Sequence, residues 1–182
     1  MTTLDALDGA ASDASDLLHA AGQTLGLCET ASGGLMSAAM LARPGASRCF
    51  VGGAVAYSRA SRHALLDLHG EQVRDLAPMS PEMALAFARR TRERLGSDWG
   101  VAELGIAGPG PSPYGGPSGV AILAVSGPVD LTRRIETGHD DRAANMRAFA
   151  AAGLALLAEA LAKALAEAPA KAPDEGGATT PR

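Results

Sequence analysis

The chain has 182 residues, of which 47% are hydrophobic, 20% charged and only 3% aromatic, and its formal net charge is -4 at pH 7. This length and composition fit one soluble domain with an aliphatic core. A chain with this negative net charge is not expected to have the basic face that attracts nucleic acid or an anionic membrane. We therefore expect a small molecule or a second copy of the chain as partner.

The cysteines and the start of the chain predict a cytoplasmic protein. Cys28 and Cys49 are too few for a disulfide framework and favour buried, reduced thiols. The first residues lack a positive segment followed by an apolar one, and the apolar stretches are broken by Gly, Pro or charge. We therefore expect neither a signal peptide nor a membrane span.

Helices and strands alternate along the sequence. The spacing of apolar residues predicts helices at 13–21, 35–42, 58–68, 81–95 and 140–166. Short apolar runs predict strands at 24–28, 50–57, 101–106 and 119–126, and a more polar segment predicts a final strand at 131–136. A tight turn pairs the last two antiparallel. This alternation predicts an α/β fold, a three-layer α/β/α sandwich around a mixed, mostly parallel sheet.

One domain is expected over residues 1–166. Residues 167–182 are rich in Pro, Ala, Gly and Thr with little to bury, and they predict a disordered tail. Within the domain, the loop 107–118 holds four prolines and four glycines. Loops of that length are usually functional or disordered.

Two glycine-rich segments follow predicted strands. Residues 29–34 read Glu-Thr-Ala-Ser-Gly-Gly, and residues 105–110 read Gly-Ile-Ala-Gly-Pro-Gly. Open α/β sheets place ligand sites at strand ends. The first segment also runs into a helix, whose N-terminal N–H groups suit an anion. Together the two segments predict an anion-binding pocket.

Other motifs are missing from the sequence. It has no Gly-x-x-x-x-Gly-Lys-Ser/Thr, no Gly-x-Gly-x-x-Gly and no Gly-x-Ser-x-Gly. The sequence therefore does not support a nucleoside triphosphate site, a dinucleotide site or the nucleophile elbow of a hydrolase. His63 and His139 stand without a carboxylate or cysteine at ligand spacing. The sequence therefore predicts no metal site.

The order and spacing of these segments resemble the C-terminal domain of the CinA (competence and damage inducible) family over about residues 18–161. The matching positions are Glu29, Gly33-Gly34, residues 44–47, Gly53, Tyr57-Ser58, residues 105–109, Pro117, Gly119 and Arg142. Enzymatic members of that family are nicotinamide-nucleotide amidases. The resemblance implies a mixed-sheet α/β/α fold, homo-oligomers, and hydrolysis of the amide of nicotinamide mononucleotide to ammonia and the acid, with no cofactor.

The sequence departs from this family where the chemistry is expected. The family's first loop reads Glu-Ser-Cys-Thr-Gly-Gly with the serine as nucleophile, and the matching residue here is Thr30. The lysine expected five residues after the tyrosine is Arg62, and the threonine before Gly-Ile-Ala-Gly-Pro is Leu104. Arg62 can orient or stabilise charge but cannot accept a proton, because a guanidinium stays protonated in proteins.

The resemblance and the residues together give a first hypothesis of an amidohydrolase acting on nicotinamide mononucleotide, another phosphorylated nucleoside or a similar small amide. Thr30 attacks, assisted by Tyr57 and Arg62. The expected substrate-binding residues are Glu29, Ala31, Ser32, Gly33, Gly34, Gly105, Ala107, Gly108 and Arg142, with a phosphate held by Gly33, Gly34 and Arg142. A second hypothesis is a catalytically impaired member that binds a nucleotide as a sensor or interaction module.

Several of these residues also fit structural roles. Thr30 and Ser32 suit the cap of the following helix, and in a shifted loop Ser32 could itself be the nucleophile. Glu29 could bond loop N–H groups. Arg142 could instead pair with Asp140 or Asp141 at the surface.

Overall fold

The computed structural model describes residues 2–110, 112 and 115–167. Within them the helices are α1 (Asp8–Ala21), α2 (Leu35–Leu41), α3 (Arg59–Leu66), α4 (Pro81–Leu95) and α5 (Arg142–Glu167), with short 3-10 turns at Ala46–Arg48 and Gly70–Gln72. The strands are β1 (Leu25–Glu29), β2 (Phe50–Val55), β3 (Trp99–Ile106), β4 (Val120–Ser126) and β5 (Leu131–Glu136). The predicted alternation of helices and strands is confirmed.

The described strands form one sheet in the order β2-β1-β3-β4-β5. β1 runs parallel to both of its neighbours, with Leu27 opposite Gly53 on one side and Val101 on the other. β4 runs antiparallel to β3 and β5, as the tight turn predicts. The predicted mixed sheet is confirmed. Only β4 is reversed, and the described pairings divide into two parallel and two antiparallel.

Helices cover both faces of the sheet, which makes the three predicted layers. On one face α1, α2 and α5 bury Trp99, Val101 and Leu123 of the sheet in the larger core cluster. On the other face α3 and α4 pack on Ala102 and Leu104. Strand residues alternate between these faces, so β3 and β4 are almost wholly buried.

Some boundaries differ from the sequence prediction. α1 begins at Asp8, five residues earlier than expected, because Ala11 and Ala14 are fully buried although alanine gives only a weak apolar signal. α5 reaches Glu167, one residue beyond the expected domain end. The rest of the predicted tail, 168–182, lies outside the described residues, as do three positions of the loop 107–118.

Helix α5 is long and apolar enough to cross a membrane by length and composition, a feature that the sequence prediction overlooked. In the fold 44% of its most apolar stretch is buried. Phe149, Leu154 and Leu157 are fully buried there, and the helix contacts α1 and strands β3, β4 and β5. This is the packing of a core helix.

Candidate functional site

The candidate site is a cleft at the carboxyl ends of the parallel strands. β1 ends at Glu29 and its neighbour β3 ends at Ile106, so the loops that follow leave the same edge of the sheet. A cavity of about 1110 Å³ opens there and is also lined by the start of α3, by residues between 68 and 79, and by α4. Ligands of open α/β sheets bind in this position.

The structure brings eight of the expected site residues together around the cleft, namely Thr30, Ala31, Tyr57, Arg62, Gly105, Ala107, Gly108 and Arg142. Leu68, Phe87 and Leu104 give it an apolar wall. The other four expected residues, Glu29, Ser32, Gly33 and Gly34, are not among the described residues that line it. They lie on the side of the first glycine-rich loop that faces away from the cleft, where they hold the shape of the loop.

Glu29 occupies the N-terminus of α2 with its own carboxylate. Its Oε2 accepts hydrogen bonds from the backbone N–H groups of Gly34 and Met36, each at 3.0 Å, and its Oε1 accepts from the N–H of Ser37 at 2.8 Å. The sequence predicts an anion at this helix end, and in the structure that anion is fully buried Glu29. A phosphate at Gly34 would have to compete with it.

Gly33 and Gly34 have a conformational role. Their φ angles are 66° and 95°, in the left-handed region that favours glycine. The two residues reverse the chain between β1 and α2. This turn allows the first amides of the helix to point back at Glu29.

A second buried carboxyl, Glu103 on β3, escaped the sequence analysis. Its Oε2 accepts from the N–H groups of Thr30 at 3.0 Å and Ser32 at 2.9 Å, and from the Ser32 hydroxyl at 2.8 Å. Its Oε1 has no hydrogen-bond partner among the described residues. The available signal was a glutamate inside an otherwise apolar strand, because such a residue is almost never fully buried without partners.

Burial raises the pKa of Glu103, and the nearby charge of Glu29 adds to the rise against the hydrogen bonds from Ser32 and Thr30. The Ser32 hydroxyl lies 2.9 Å from a Glu29 oxygen as well as 2.8 Å from Glu103. One hydroxyl hydrogen can serve only one of these carboxyls at a time. Ser32 is therefore a buried bridge behind the cleft, and neither a helix cap nor an exposed nucleophile.

Thr30 reaches the cleft at the end of β1, but its hydroxyl is held by β3. Oγ1 donates to the carbonyl oxygen of Glu103 at 3.0 Å and accepts from the N–H of Gly105 at 3.3 Å. The residue is only 6% exposed. An attack by Thr30 on a ligand requires Oγ1 to leave the Glu103 carbonyl.

Tyr57 and Arg62 are positioned by the start of α3. Ser58 caps this helix, accepting from the N–H of Ser61, while the Ser61 hydroxyl accepts from the N–H of Ser58. Tyr57 precedes the cap and is 62% exposed. Arg62 lies one turn on, where its Nε donates to the Ala56 carbonyl at 3.3 Å and its guanidinium stacks 5.3 Å from the Phe87 ring.

Arg142 closes the other side of the cleft as the first residue of α5. Its Nη1 donates to the carbonyl oxygen of Gly108 at 2.5 Å, which ties the helix to the second glycine-rich loop. Buried Asn145, which the sequence analysis missed, donates to the carbonyls of Ala107 and His139, each at 3.0 Å. An asparagine within an apolar helix was the signal available for it.

Cys28 lies beside the first loop as a core residue, as the reduced-thiol prediction expects. It is free and fully buried, and burial raises its pKa to about 12. Cys49 is also free and buried. At neutral pH the Cys28 thiol is therefore not a nucleophile.

The sequence analysis treated His63 as lone, and the structure corrects this. His63, Asp67 and His69 form a cluster whose side-chain nitrogen and oxygen atoms lie within 4.8 Å of one another. Both histidines line the cleft. The four-residue step from His63 to Asp67 was visible in the sequence, since residues four apart share a helix face.

The fold and this cleft define a small α/β protein with a candidate ligand cleft at the carboxyl edge of the parallel strands of a mixed sheet. The family model of the CinA C-terminal domain matches residues 8–161. The chain belongs to this family.

Relatives of known sequence and structure agree with that assignment. A CinA-like protein of Parasynechococcus marenigrum is 44% identical over 135 residues, covering 74% of this chain and 32% of the relative. One of Gloeobacter violaceus is 38% identical over 129 residues, covering 71% and 30%. The chain thus spans about a third of the length of the curated relatives it matches.

Solved structures share the fold. A competence-damaged protein (CinA) superfamily protein from Klebsiella pneumoniae has a TM-score of 0.78 and 22% identity, covering 90% of this chain and 99% of that one. The competence/damage inducible protein CihA from Agrobacterium tumefaciens has a TM-score of 0.68 and 24% identity, covering 88% and 94%. At these identities the likeness concerns the fold alone.

Proposed function

We propose that the chain is an amidohydrolase of the CinA C-terminal type that releases ammonia from nicotinamide mononucleotide or a similar small amide. The observation that carries this proposal is that one cleft is lined by Thr30, Tyr57, Arg62 and Arg142. At these positions the family resemblance implies a nucleophile, two assisting residues and a phosphate contact. A cytoplasmic setting is part of the proposal, since buried reduced cysteines fit a reducing compartment.

In the proposed reaction, Oγ1 of Thr30 adds to the amide carbonyl carbon, the C–N bond breaks and ammonia leaves. Water then hydrolyses the threonine ester to the acid and restores the hydroxyl. Tyr57 relays the hydroxyl proton to the departing nitrogen, and the Arg62 cation stabilises the negative oxygen of the intermediate. Arg62 cannot replace the family lysine as a base, so the rate depends on Tyr57 and on how readily Oγ1 leaves the Glu103 carbonyl.

The phosphate contact in this proposal rests with Arg142. Its guanidinium lines the cleft and carries five N–H donors, so it can hold a phosphate while keeping its bond to the Gly108 carbonyl. Gly34 is a weaker candidate than the sequence indicated, because its N–H is donated to Glu29. In this proposal the phosphate therefore binds on the side of the cleft that is formed by the start of α5.

A specific observation also favours the second function, a member that binds a nucleotide without hydrolysing it. The Thr30 hydroxyl is engaged on both sides, by the Glu103 carbonyl and the Gly105 N–H. Losing a positioned general base typically lowers a rate by about 10² to 10⁴. Such a protein would keep the cleft and bind a nucleotide there without hydrolysing an amide.

Ammonia release from nicotinamide mononucleotide separates the two functions. For the amidohydrolase we expect release that Thr30→Ala abolishes and that Thr132→Ala preserves, since Thr132 is an exposed threonine on β5 that does not line the cleft. Restoring the family residues with Thr30→Ser and Arg62→Lys should raise the rate. If the mononucleotide binds by calorimetry but the wild type releases no more ammonia than Thr30→Ala, the binding function is correct.

We also propose that the chain forms homo-oligomers through the edge of β2. Val51 and Val55 on this edge strand, and Leu41 on the adjacent α2, are exposed although apolar. Exposed apolar side chains on an edge strand favour pairing with another chain. Light scattering after size exclusion should give a multiple of the chain mass, which Val51→Lys reduces and Thr132→Lys on the opposite edge does not.

A further inference from the structure

We propose that His63, Asp67 and His69 form a binding site for a divalent transition-metal ion, such as Zn²⁺, at the rim of the cleft. The three side chains each offer one ligand atom, and these atoms all lie within 4.8 Å of one another. Asp67 Oδ1 and His69 Nε2 are 2.9 Å apart. The ligands of one zinc ion, about 2.0–2.2 Å from the metal, are separated by similar distances.

The chemistry of the donors selects the kind of ion. Two imidazole nitrogens and one carboxylate oxygen suit zinc and its first-row neighbours. Magnesium and calcium prefer sites made of oxygen ligands, of which this cluster has one side-chain example. Three protein ligands leave at least one coordination position for water or another molecule.

The cluster is held in place by the end of α3. Asp67 follows the last helical residue with a φ of 51°, and its N–H donates to the His63 carbonyl at 2.9 Å. The N–H of His69 donates to the Gln72 side chain at 2.6 Å. The rings of His63 and His69 meet edge to face with centroids 4.3 Å apart. Binding therefore needs small shifts of side chains that the backbone already brings together.

Arg90 orients the carboxylate from outside the cluster. It pairs with Asp67 Oδ2, and its Nε donates to the Leu66 carbonyl at 2.8 Å. Oδ1 is thus turned toward His69. The positive charge of Arg90 opposes that of a metal ion, but outer partners of this kind also fix the direction of a ligand. A bound ion would take the place of the proton that His69 shares with Oδ1.

The site faces the cleft, because His63 and His69 both line it. A metal ion there would lie at the wall of the same cleft that Thr30 and Arg142 line. A phosphate or carbonyl oxygen is the kind of group that its open coordination position would accept. The inference rests on the geometry of the cluster, so it holds whether or not Thr30 catalyses hydrolysis.

Calorimetry with Zn²⁺ on the chelator-treated full chain tests the site. We expect binding of one ion per chain, and visible absorption of tetrahedral character when Co²⁺ replaces Zn²⁺. His63→Ala and His69→Ala should each weaken binding by at least about tenfold, as should Asp67→Asn. Asparagine tolerates the positive φ of Asp67, so this last variant keeps the backbone. His139→Ala is the matched control, since His139 is outside the cluster.

The inference is overturned if the folded wild type binds neither ion, or if His63→Ala and His69→Ala bind Zn²⁺ as tightly as the wild type. Loss of affinity in His139→Ala alone would assign the ion to another site and equally refute it. The fluorescence of buried Trp99 checks that each variant is folded.

Discussion

Replacing Glu103 by glutamine should make the free energy of unfolding less dependent on pH. Burial, with a contribution from the Glu29 charge, raises the pKa of Glu103 above its ordinary value of 4.5 in the folded chain. Between 4.5 and the folded-state pKa, the carboxyl is neutral when folded and ionised when unfolded. The unfolded chain then binds fewer protons, so wild-type stability falls as pH rises through this window.

The magnitude follows from the width of the window. Each pH unit between the two pKa values removes about 1.4 kcal/mol of wild-type stability, and the loss is complete above the folded-state pKa. Glutamine keeps an oxygen to accept from Thr30 and Ser32, and places its amide nitrogen where Oε1 has no partner among the described residues. Below the window we expect the variant to match the wild type within about 1 kcal/mol, and above it to be more stable.

Urea denaturation from about pH 4 to about pH 9 measures this difference on both sides of the lower limit of the window. Trp99 is the single tryptophan of the chain and is fully buried, so its fluorescence reports global unfolding. Glu167→Gln, at an exposed glutamate on the end of α5, is the matched control and should run parallel to the wild type. Parallel curves for Glu103→Gln and the wild type would mean that burial does not hold Glu103 neutral, and the reasoning would fail.

Further changes test the packing and the cleft. Gly105→Ala places a Cβ against Glu103 Oε1 and 2.7 Å from the Phe149 ring and should destabilise the fold by about 1–3 kcal/mol, seen as a lower Tm in calorimetry; an unchanged Tm contradicts this close packing. Asn145→Ala leaves two loop carbonyls without their buried donor and should cost about 1–3 kcal/mol in urea denaturation, where an unchanged midpoint argues against that role. Arg142→Ala should weaken binding of nicotinamide mononucleotide by about tenfold or more in calorimetry, whereas Arg134→Ala on β5 should not; equal affinities in the two variants exclude the phosphate contact.

Features set by local chemistry could be predicted from the sequence. α4 begins at Pro81 and ends at Leu95, as expected, because a capping serine precedes it and a glycine with φ of 61° follows it. The Ser80 hydroxyl accepts from the N–H of Met83 at 3.1 Å, which is the contact that the cap pattern implies. All five strands were also predicted, four of them from short apolar runs between turn residues, although β2 ends two residues earlier and β3 begins two residues earlier than expected.

Features that depend on distant partners could not be predicted. Glu103 meets the loop of Thr30 across 73 sequence positions, so no local pattern connects the two. The sequence indicates an anion at the start of α2 and leaves open whether Glu29 bonds the loop N–H groups, and the fold shows that Glu29 does so. The cluster of His63 and His69 is local and was missed for another reason, because it forms where Asp67 turns the chain at positive φ, a conformation that is uncommon for residues other than glycine.

The two buried carboxyls explain how the cleft can keep its shape while its chemistry varies. Glu29 and Glu103 hold the first loop from behind through backbone N–H groups, which every residue but proline provides. Exchanging the side chain at position 30 therefore leaves the loop in place. The methyl group of Thr30 restricts its χ1, and the hydroxyl is held at the Glu103 carbonyl, 3.0 Å away. A serine would lack that restriction, so we expect the hydroxyl of Thr30→Ser to rotate toward a ligand more readily, and the two proposed functions to differ in this rotation.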